Sequence, residues 1–222
     1  MAVGSDQGNV LENWSVYRCL VFETRMDNRL YALSAGDWFS IEESFADQVT
    51  AFAEGLPSLD VGLPDAERGT TEGDYNEAAA QEVEALLMDR QLVTLAGQDA
   101  IELCDLLTRG KQFIHVKKRG ASSTLSHLFQ QGLVSAELLF REQPYRDAAR
   151  SRVDGLDSSF TDAVPPARPA PQECEVAFVV ITRSTRDSPL TLPFFSLVAL
   201  RTAVLQLQDW GFKVSVKAVP ER

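Results

Sequence analysis

Cysteine and histidine are scarce in this chain of 222 residues, which has three of the first and two of the second. The cysteines, Cys19, Cys104 and Cys174, are scattered and odd in number, and no CxxC pair occurs. That argues against a structural zinc site and for free thiols in a reducing cytoplasm. Long apolar runs are also missing. None approaches the roughly 20 residues that a membrane span needs, so no membrane partner is expected. The opening MAVGSDQGN has neither a basic nor an apolar leader stretch. No secretory signal is therefore expected, and a cytoplasmic location is. What is present is ordinary for a globular protein: 45% hydrophobic and 24% charged residues, enough for one good core with a small appendage.

Basic residues are rare in the first half. Residues 1 to 105 carry 5 Lys/Arg against 21 Asp/Glu, a net charge of −16. Residues 106 to 222 carry 16 against 11, a net charge of +5. The sign changes at a basic run of Arg109, Lys111, Lys117, Lys118 and Arg119, with no acid among them. Such a run on an acidic chain can bind phosphate while the rest resists non-specific adhesion. A solvated strand end is the plainer alternative.

Alternation and turn residues predict a strand over 14–26 and a hairpin partner over 30–41. Helical spacing predicts helices over 44–56, 75–90 and 122–140. Their predicted caps are Ser44, Asp74 and Ser122 or Ser123, and Gly132 is expected to split the third helix. Residues 92–96 read as a short strand, and 101–117 as a hairpin. Residues 151–172, with four prolines between 165 and 171, read as a loop. A strand over 174–183, a helix over 194–211 and a strand over 212–219 suggest a crossover unit. The expectation is an α/β (or α+β) fold with a central mixed β-sheet flanked by helices. A core of 1–150 would be followed by a Pro-rich loop over 151–172, and 173–222 would pack on that core.

The most informative stretch is IELCDLLTRGKQFIHVKKRG, 101 to 120. Asp105 is expected near the end of one strand, with His115 and Lys117 on one face of the next. An acid followed by a strand ending in x-x-Lys is the skeleton of a metal-dependent nuclease site. The acid holds a divalent cation and the lysine steadies the attacking water or the phosphate. His115 stands where the second ligand is usually Asp or Glu, which shifts preference from Mg²⁺ toward Mn²⁺ or makes the imidazole a general base. Two registers are open. A two-residue turn at Arg109-Gly110 puts Asp105 beside Ile114, whereas a longer loop pairing Leu107 with Phe113 puts it beside His115.

IELCDLL, KQFIHVKKRG and SSTLSHLFQQGLVSAELL, together with YNE at 75–77 and LPFFS at 192–196, resemble the C-terminal part of a sporadically distributed bacterial family. Members are usually longer and tend to be carried with mobile or defence-related genes. The family itself supplies no reaction. The order of elements and a few residues extend the resemblance to the restriction-endonuclease-like, or PD-(D/E)XK, fold. That resemblance implies metal binding by Glu77 on an early helix and by Asp105, with His115 and Lys117 as catalytic residues. Glu102 is a further candidate ligand, and Ser126 and Gln130 would support the site from the following helix. Arg109, Lys111, Lys118 and Arg119 would touch nucleic acid. The implied function is a Mg²⁺- or Mn²⁺-dependent nuclease acting on foreign nucleic acid, DNA ahead of RNA. Two alternatives remain open: an inactive nuclease-like fold that binds nucleic acid, and an assembly module. The latter would form a homo-oligomer or meet a partner protein through its acidic half and the apolar FFSLVAL segment.

Overall fold

The computed structural model describes residues 2–4, 10–13, 15–27, 29–94, 100–120, 122–183 and 192–222. The expectations for Trp14 and for the side chains of Ser122 and Ser123 lie outside the described residues. The chain divides into two compact units, 1–52 and 53–222.

The first unit begins with β1 (Ala2–Gly4) and β2 (Val10–Asn13), paired antiparallel. A 3₁₀ turn over Tyr17–Cys19 breaks the long strand expected from residue 14. A three-stranded meander follows: β3 (Phe22–Met26), β4 (Arg29–Ser34) and β5 (Asp37–Ile41). The expected single partner strand is thus two strands, turned at Ala35-Gly36, both at positive φ. Helix α1 (Glu43–Glu54) ends this part of the chain and runs across the boundary.

The second unit holds the sheet. Helix α2 (Glu72–Glu82) leads to three two-residue strands, β6 (Leu86–Leu87), β7 (Leu92–Val93) and β8 (Ile101–Glu102). Then come β9 (Leu106–Leu107), β10 (Gln112–Lys118), α3 (Ser122–Arg141) and α4 (Gln143–Leu156). The chain ends with β11 (Glu175–Thr182), α5 (Phe194–Asp209) and β12 (Lys213–Pro220). The central sheet has the order β12-β11-β10-β9-β6. Its β10, β11 and β12 are parallel, while β9 is antiparallel to both β10 and β6. This is the expected mixed sheet, and β11 and β12 are part of it.

Strand β11 is buried from Val176 to Ile181, because helices cover both faces as parallel strands require. On one face Ile114 and Val116 of β10 pack with Tyr75 and Ala79 of α2. On the other, β10 and β11 meet α3, which also packs on α5. Phe194, Leu197 and Leu200 are buried there, while Phe195, Val198 and Ala199 are half-buried. The segment over 57–71 has a definite job. Ser58 and Ala66 form bridges to Val216 and Glu221, which closes the outer edge of β12.

Helix α2 departs from its expected range at both ends. Its cap is Thr71, whose hydroxyl accepts from the Asp74 N–H and donates to the Asp74 carboxylate, a reciprocal capping arrangement. It stops at Glu82 because Glu84 takes a left-handed conformation (φ 50°) and the Ala85 N–H returns to the Ala80 carbonyl at 2.9 Å. That closure is a Schellman motif with glutamate where glycine is usual. Beyond it Leu86 and Leu87 join the sheet and Met88 is fully buried, so tertiary burial outweighs the helix propensity of EALLM. Glu84→Gly is expected to stabilise the protein by about 0.5–1 kcal/mol, read from the urea midpoint.

The 151–172 segment is also more regular than expected. Helix α4 extends to Leu156 and a 3₁₀ helix spans Ser158–Ala163. Among the described residues, no helix is long and apolar enough to cross a membrane.

Candidate functional site

The site is built where the first strand of the 101–117 hairpin breaks. Leu103 and Cys104, between β8 and β9, are both fully buried. The chain kinks there. β8 pairs with β7 in a separate small sheet, and only β9 joins the central one. Asp105 therefore lies in the kink before β9, not at the end of a continuous strand. The hairpin closes by the longer loop, with Leu107 opposite Phe113. Lys111 takes the left-handed position (φ 62°), and its N–H donates to the Thr108 carbonyl at 3.1 Å, a three-residue loop.

Register alone does not bring Asp105 to His115. Because β9 begins only at Leu106, the Val116 N–H of β10 has no strand partner on that side. The Asp105 Oδ2 accepts it at 2.7 Å. His115 goes to the opposite face, 3% exposed, with its ring 6.1 Å from that of Phe178. Its Nε2 has no hydrogen-bond partner among the described residues. Burial pushes its pKa down to about 4, so it is neutral at pH 7. It is not gathered with Asp105, and Glu77 is not either: Glu77 is exposed on α2.

Other acids take those places. One carboxylate oxygen from each of Asp89, Glu102 and Asp105 lies within 4.8 Å of the others, and all three side chains are half-buried. The cluster is tightly braced. The Met88 and Asp89 N–H groups both donate to the Asp105 carbonyl, at 2.7 and 3.0 Å. The Arg90 N–H donates to Glu102 Oε1. A Cβ on Gly73 would stand 3.5 Å from Asp89 Oδ2, so the first turn of α2 lies against Asp89. From that helix Glu72 and Asn76, four apart and on one face, point to the site. Asn76 Nδ2 lies 3.4 Å from Asp105 Oδ1. Asn76 is fully buried, and its Oδ1 has no partner among the described residues. Lys117 Nζ donates to Glu72 Oε1 at 2.7 Å, and the Lys118 N–H to Glu72 Oε2 at 2.9 Å.

The electrostatics follow from burial and like charge. Asp105 is pushed up to about 7, chiefly by burial, with Glu102, Asp89 and Glu72 adding to it and the Val116 N–H opposing. Glu102 is also raised, mainly by burial. The Arg90 N–H and Lys117 pull it down, while Asp89 and Glu72 push it up. Close carboxylates with too few cations gain most from a divalent ion. All three donors are hard oxygens, the type that Mg²⁺ and Mn²⁺ take, so the residues fit such an ion.

The basic run is dispersed by the strand that carries it. Arg109 and Lys111 precede β10 while Lys118 and Arg119 end it, about 20 Å away at roughly 3.3 Å per residue. Arg109 lies over the Phe160 ring at 4.1 Å and donates to Ser159. Lys111 pairs with Glu173 at 2.6 Å, and Lys118 with Glu221 at 2.7 Å. Arg119 is exposed and donates to Thr182 Oγ1 at 3.5 Å. On α3, Ser126 is half-buried and Gln130 exposed. Gln130 lines a cavity of about 270 Å³ with Ile101, Glu102, Gln131, Val134 and His127. His127 is exposed.

Asp89, Glu72 and Asn76 were not legible as site residues. Asp89 falls in what reads as the last turn of a helix, and Asn76 sits one place before the more obvious Glu77. The signal that could have found Glu72 is the Thr71-x-x-Asp74 cap, which fixes it in the first turn.

Fold and site together define a mixed α/β protein with an acidic cluster beside its hairpin and a lysine on the hairpin's second strand. The chain belongs to a family of unknown function (DUF6119), whose model matches residues 1–220. No curated protein and no solved structure matches it.

Proposed function

We propose that this chain is a divalent-metal-dependent phosphodiester hydrolase acting on nucleic acid, DNA ahead of RNA. The observation that carries the reading is the approach of three carboxylate oxygens, from Asp89, Glu102 and Asp105, to within 4.8 Å. Lys117 stands beside them, close enough to Glu102 to lower its pKa. The order of elements supports the restriction-endonuclease-like reading. A helix bearing acids (α2) precedes a strand led by the aspartate (β9), then the paired strand bearing the lysine (β10), then the following helix (α3). In this reading Glu102 and Asp89 supply the carboxylates that His115 does not.

Asp89, Glu102 and Asp105 would hold Mg²⁺ or Mn²⁺, which supplies Lewis-acid stabilisation of the phosphate and an acidified water. The protein's own groups do the rest. Asp105 gives up its proton to become a ligand, so cation binding strengthens as pH rises toward 7. Lys117 offers positive charge to the phosphate, and Glu72 holds it in place. Asn76, buried and half-satisfied, orients the Asp105 carboxylate.

The test incubates the protein with single- and double-stranded DNA and RNA, with Mg²⁺, with Mn²⁺ and with a chelator. Asp105→Asn, Glu102→Gln and Lys117→Met are each expected to reduce cleavage by about 10²–10³. Asp105→Asn keeps an acceptor for the Val116 N–H and is the cleaner change. Cleavage that survives chelation, or these substitutions, defeats the reading. His115→Asp is expected to destabilise rather than to activate. It buries a carboxylate against Phe178 with no cation near, a change that commonly costs about 3 kcal/mol or more, measurable by urea unfolding.

A further inference from the structure

We propose that the cavity at the carboxyl ends of β10 and β11 is a phosphoryl-binding site. This inference goes beyond hydrolysis at the acidic cluster and stands whether or not that cluster is catalytic. The cavity is about 540 Å³ and is lined by Lys118, Arg119, Gly120, Thr182, Arg183 and Glu221. Three cations face one carboxylate. Two positive charges are thus left for a ligand, in a concave site where their field is concentrated.

The backbone places them. β10 and β11 run parallel in register, Lys118 opposite Ile181, so their last residues emerge at one edge. The Arg119 N–H donates to the Ile181 carbonyl at 2.8 Å and holds the two ends together. This is the edge of an α/β sheet where ligands are usually bound. Helix α3 starts two residues beyond Gly120 and is 20 residues long. Its N-terminal end adds partial positive charge to the same edge.

Glu221 shows that the donors are already arranged around an anion. Its carboxylate accepts from Lys118 Nζ at 2.7 Å, Arg183 Nε at 2.5 Å and the Gly69 N–H at 2.9 Å. The side chain is only 2% exposed although Arg183 is 66% exposed. These contacts, Arg183 first and then Lys118, hold the carboxyl down at about 2. A phosphoryl group has the same need for several converging N–H donors, and an arginine fork meets it well. Arg119 spends one long bond on Thr182 and keeps donors for a ligand. The site is separate from the acidic cluster, with the Glu72–Lys117 pair between them.

The ligand class is a phosphate monoester or diester, free or within a nucleic-acid backbone. The full chain is titrated by calorimetry with inorganic phosphate and with a single-stranded oligothymidylate. Saturable phosphate binding is expected. Arg119→Gln and Arg183→Gln should each weaken it about tenfold, with unchanged thermal unfolding for Arg119→Gln. Glu221→Gln should strengthen it about fivefold by removing a like charge, and Asp105→Asn should leave it unchanged. Oligothymidylate that competes with phosphate identifies a backbone site, and failure to compete identifies a site for free phosphoryl compounds. Either result agrees with the proposal. Absence of phosphate binding, or binding indifferent to both arginine substitutions, overturns it. If Glu221→Gln loosens the fold, the Arg119→Gln result decides alone.

Discussion

Asp105→Asn is expected to make the folded protein more stable at pH 8, by about 2 kcal/mol, while leaving it nearly unchanged at pH 4. The folded-state pKa of Asp105 is near 7 against an ordinary 3.8. Between those values the unfolded chain has already lost the proton that the folded chain keeps. Stability therefore falls as pH rises from about 4 to 7, and the full penalty is present above 7. A tenfold change in proton affinity is worth about 1.4 kcal/mol, part of which relaxation and water entry remove. Asparagine carries no charge to bury. Its amide can also donate to Asn76 Oδ1 once that side chain turns over, satisfying an acceptor that now lacks a partner among the described residues. Urea unfolding of both proteins at pH 4, 6 and 8 measures the difference. The pH dependence must vanish in the variant for this residue. His115 gives the opposite sign, losing stability as pH falls from 6.5 toward 4, so the two can be separated by variant.

A cation reverses the sign for Asp105. Mn²⁺ or Mg²⁺ at the cluster should raise the melting temperature of the wild type more at pH 8 than at pH 5.5, because binding needs the carboxylate form. The rise should be lost in Asp105→Asn. A metal shift of equal size in the variant would place the ion elsewhere.

Gly132→Val should lose about 3 kcal/mol or more of stability. Glycine inside a helix costs roughly 0.5–1 kcal/mol, and α3 nonetheless runs unbroken from Ser122 to Arg141. The reason is contact rather than flexibility. A Cβ at 132 would meet Phe178 Cε1 at 2.5 Å, Phe178 Cζ at 3.0 Å and His115 Cδ2 at 3.2 Å. Phe178 cannot retreat, since it is fully buried and edge-on to Phe129 at 5.2 Å. Overpacking of this kind costs about 1–3 kcal/mol for a methyl group and more for a branched side chain. Gly132→Ala should show the smaller loss and Gly132→Val the larger one. Phe178→Leu should rescue part of it, which a purely helical effect would not allow.

The two results concern the two faces of β10. Gly132 lets α3 close over His115 and Phe178 on one face. On the other, Asp105 completes a strand whose partner is too short to reach Val116. A substitution near either is felt in the same strand, so activity measurements on site variants need unfolding curves beside them.

Much of the architecture was legible in the sequence because it rests on local pattern. The alternation in FKVSVKAV and the apolar run in CEVAFVVITR give β12 and β11. The spacing in FFSLVALRTAVLQLQDWG gives α5, closed by Gly211 at φ 88°. The basic run and the charge reversal at 105 were visible from composition alone, as was the choice between two hairpin registers. The choice itself was not. It depended on Lys111 accepting a left-handed conformation and on the buried pair Leu103-Cys104 kinking the strand. Nothing within a few residues of Asp105 shows that β9 is only two residues long, which is why its carboxylate turns to Val116 instead of His115. The helix end at Glu82, and with it the placing of Asp89, was decided by Leu86, Leu87 and Met88 finding the sheet. The sequence by itself determined the strand, helix and strand of 174–219 and where charge lies along the chain. Only the tertiary structure decided which acids meet, because carboxylates from positions 89, 102 and 105 come together through tertiary pairing that no local spacing encodes.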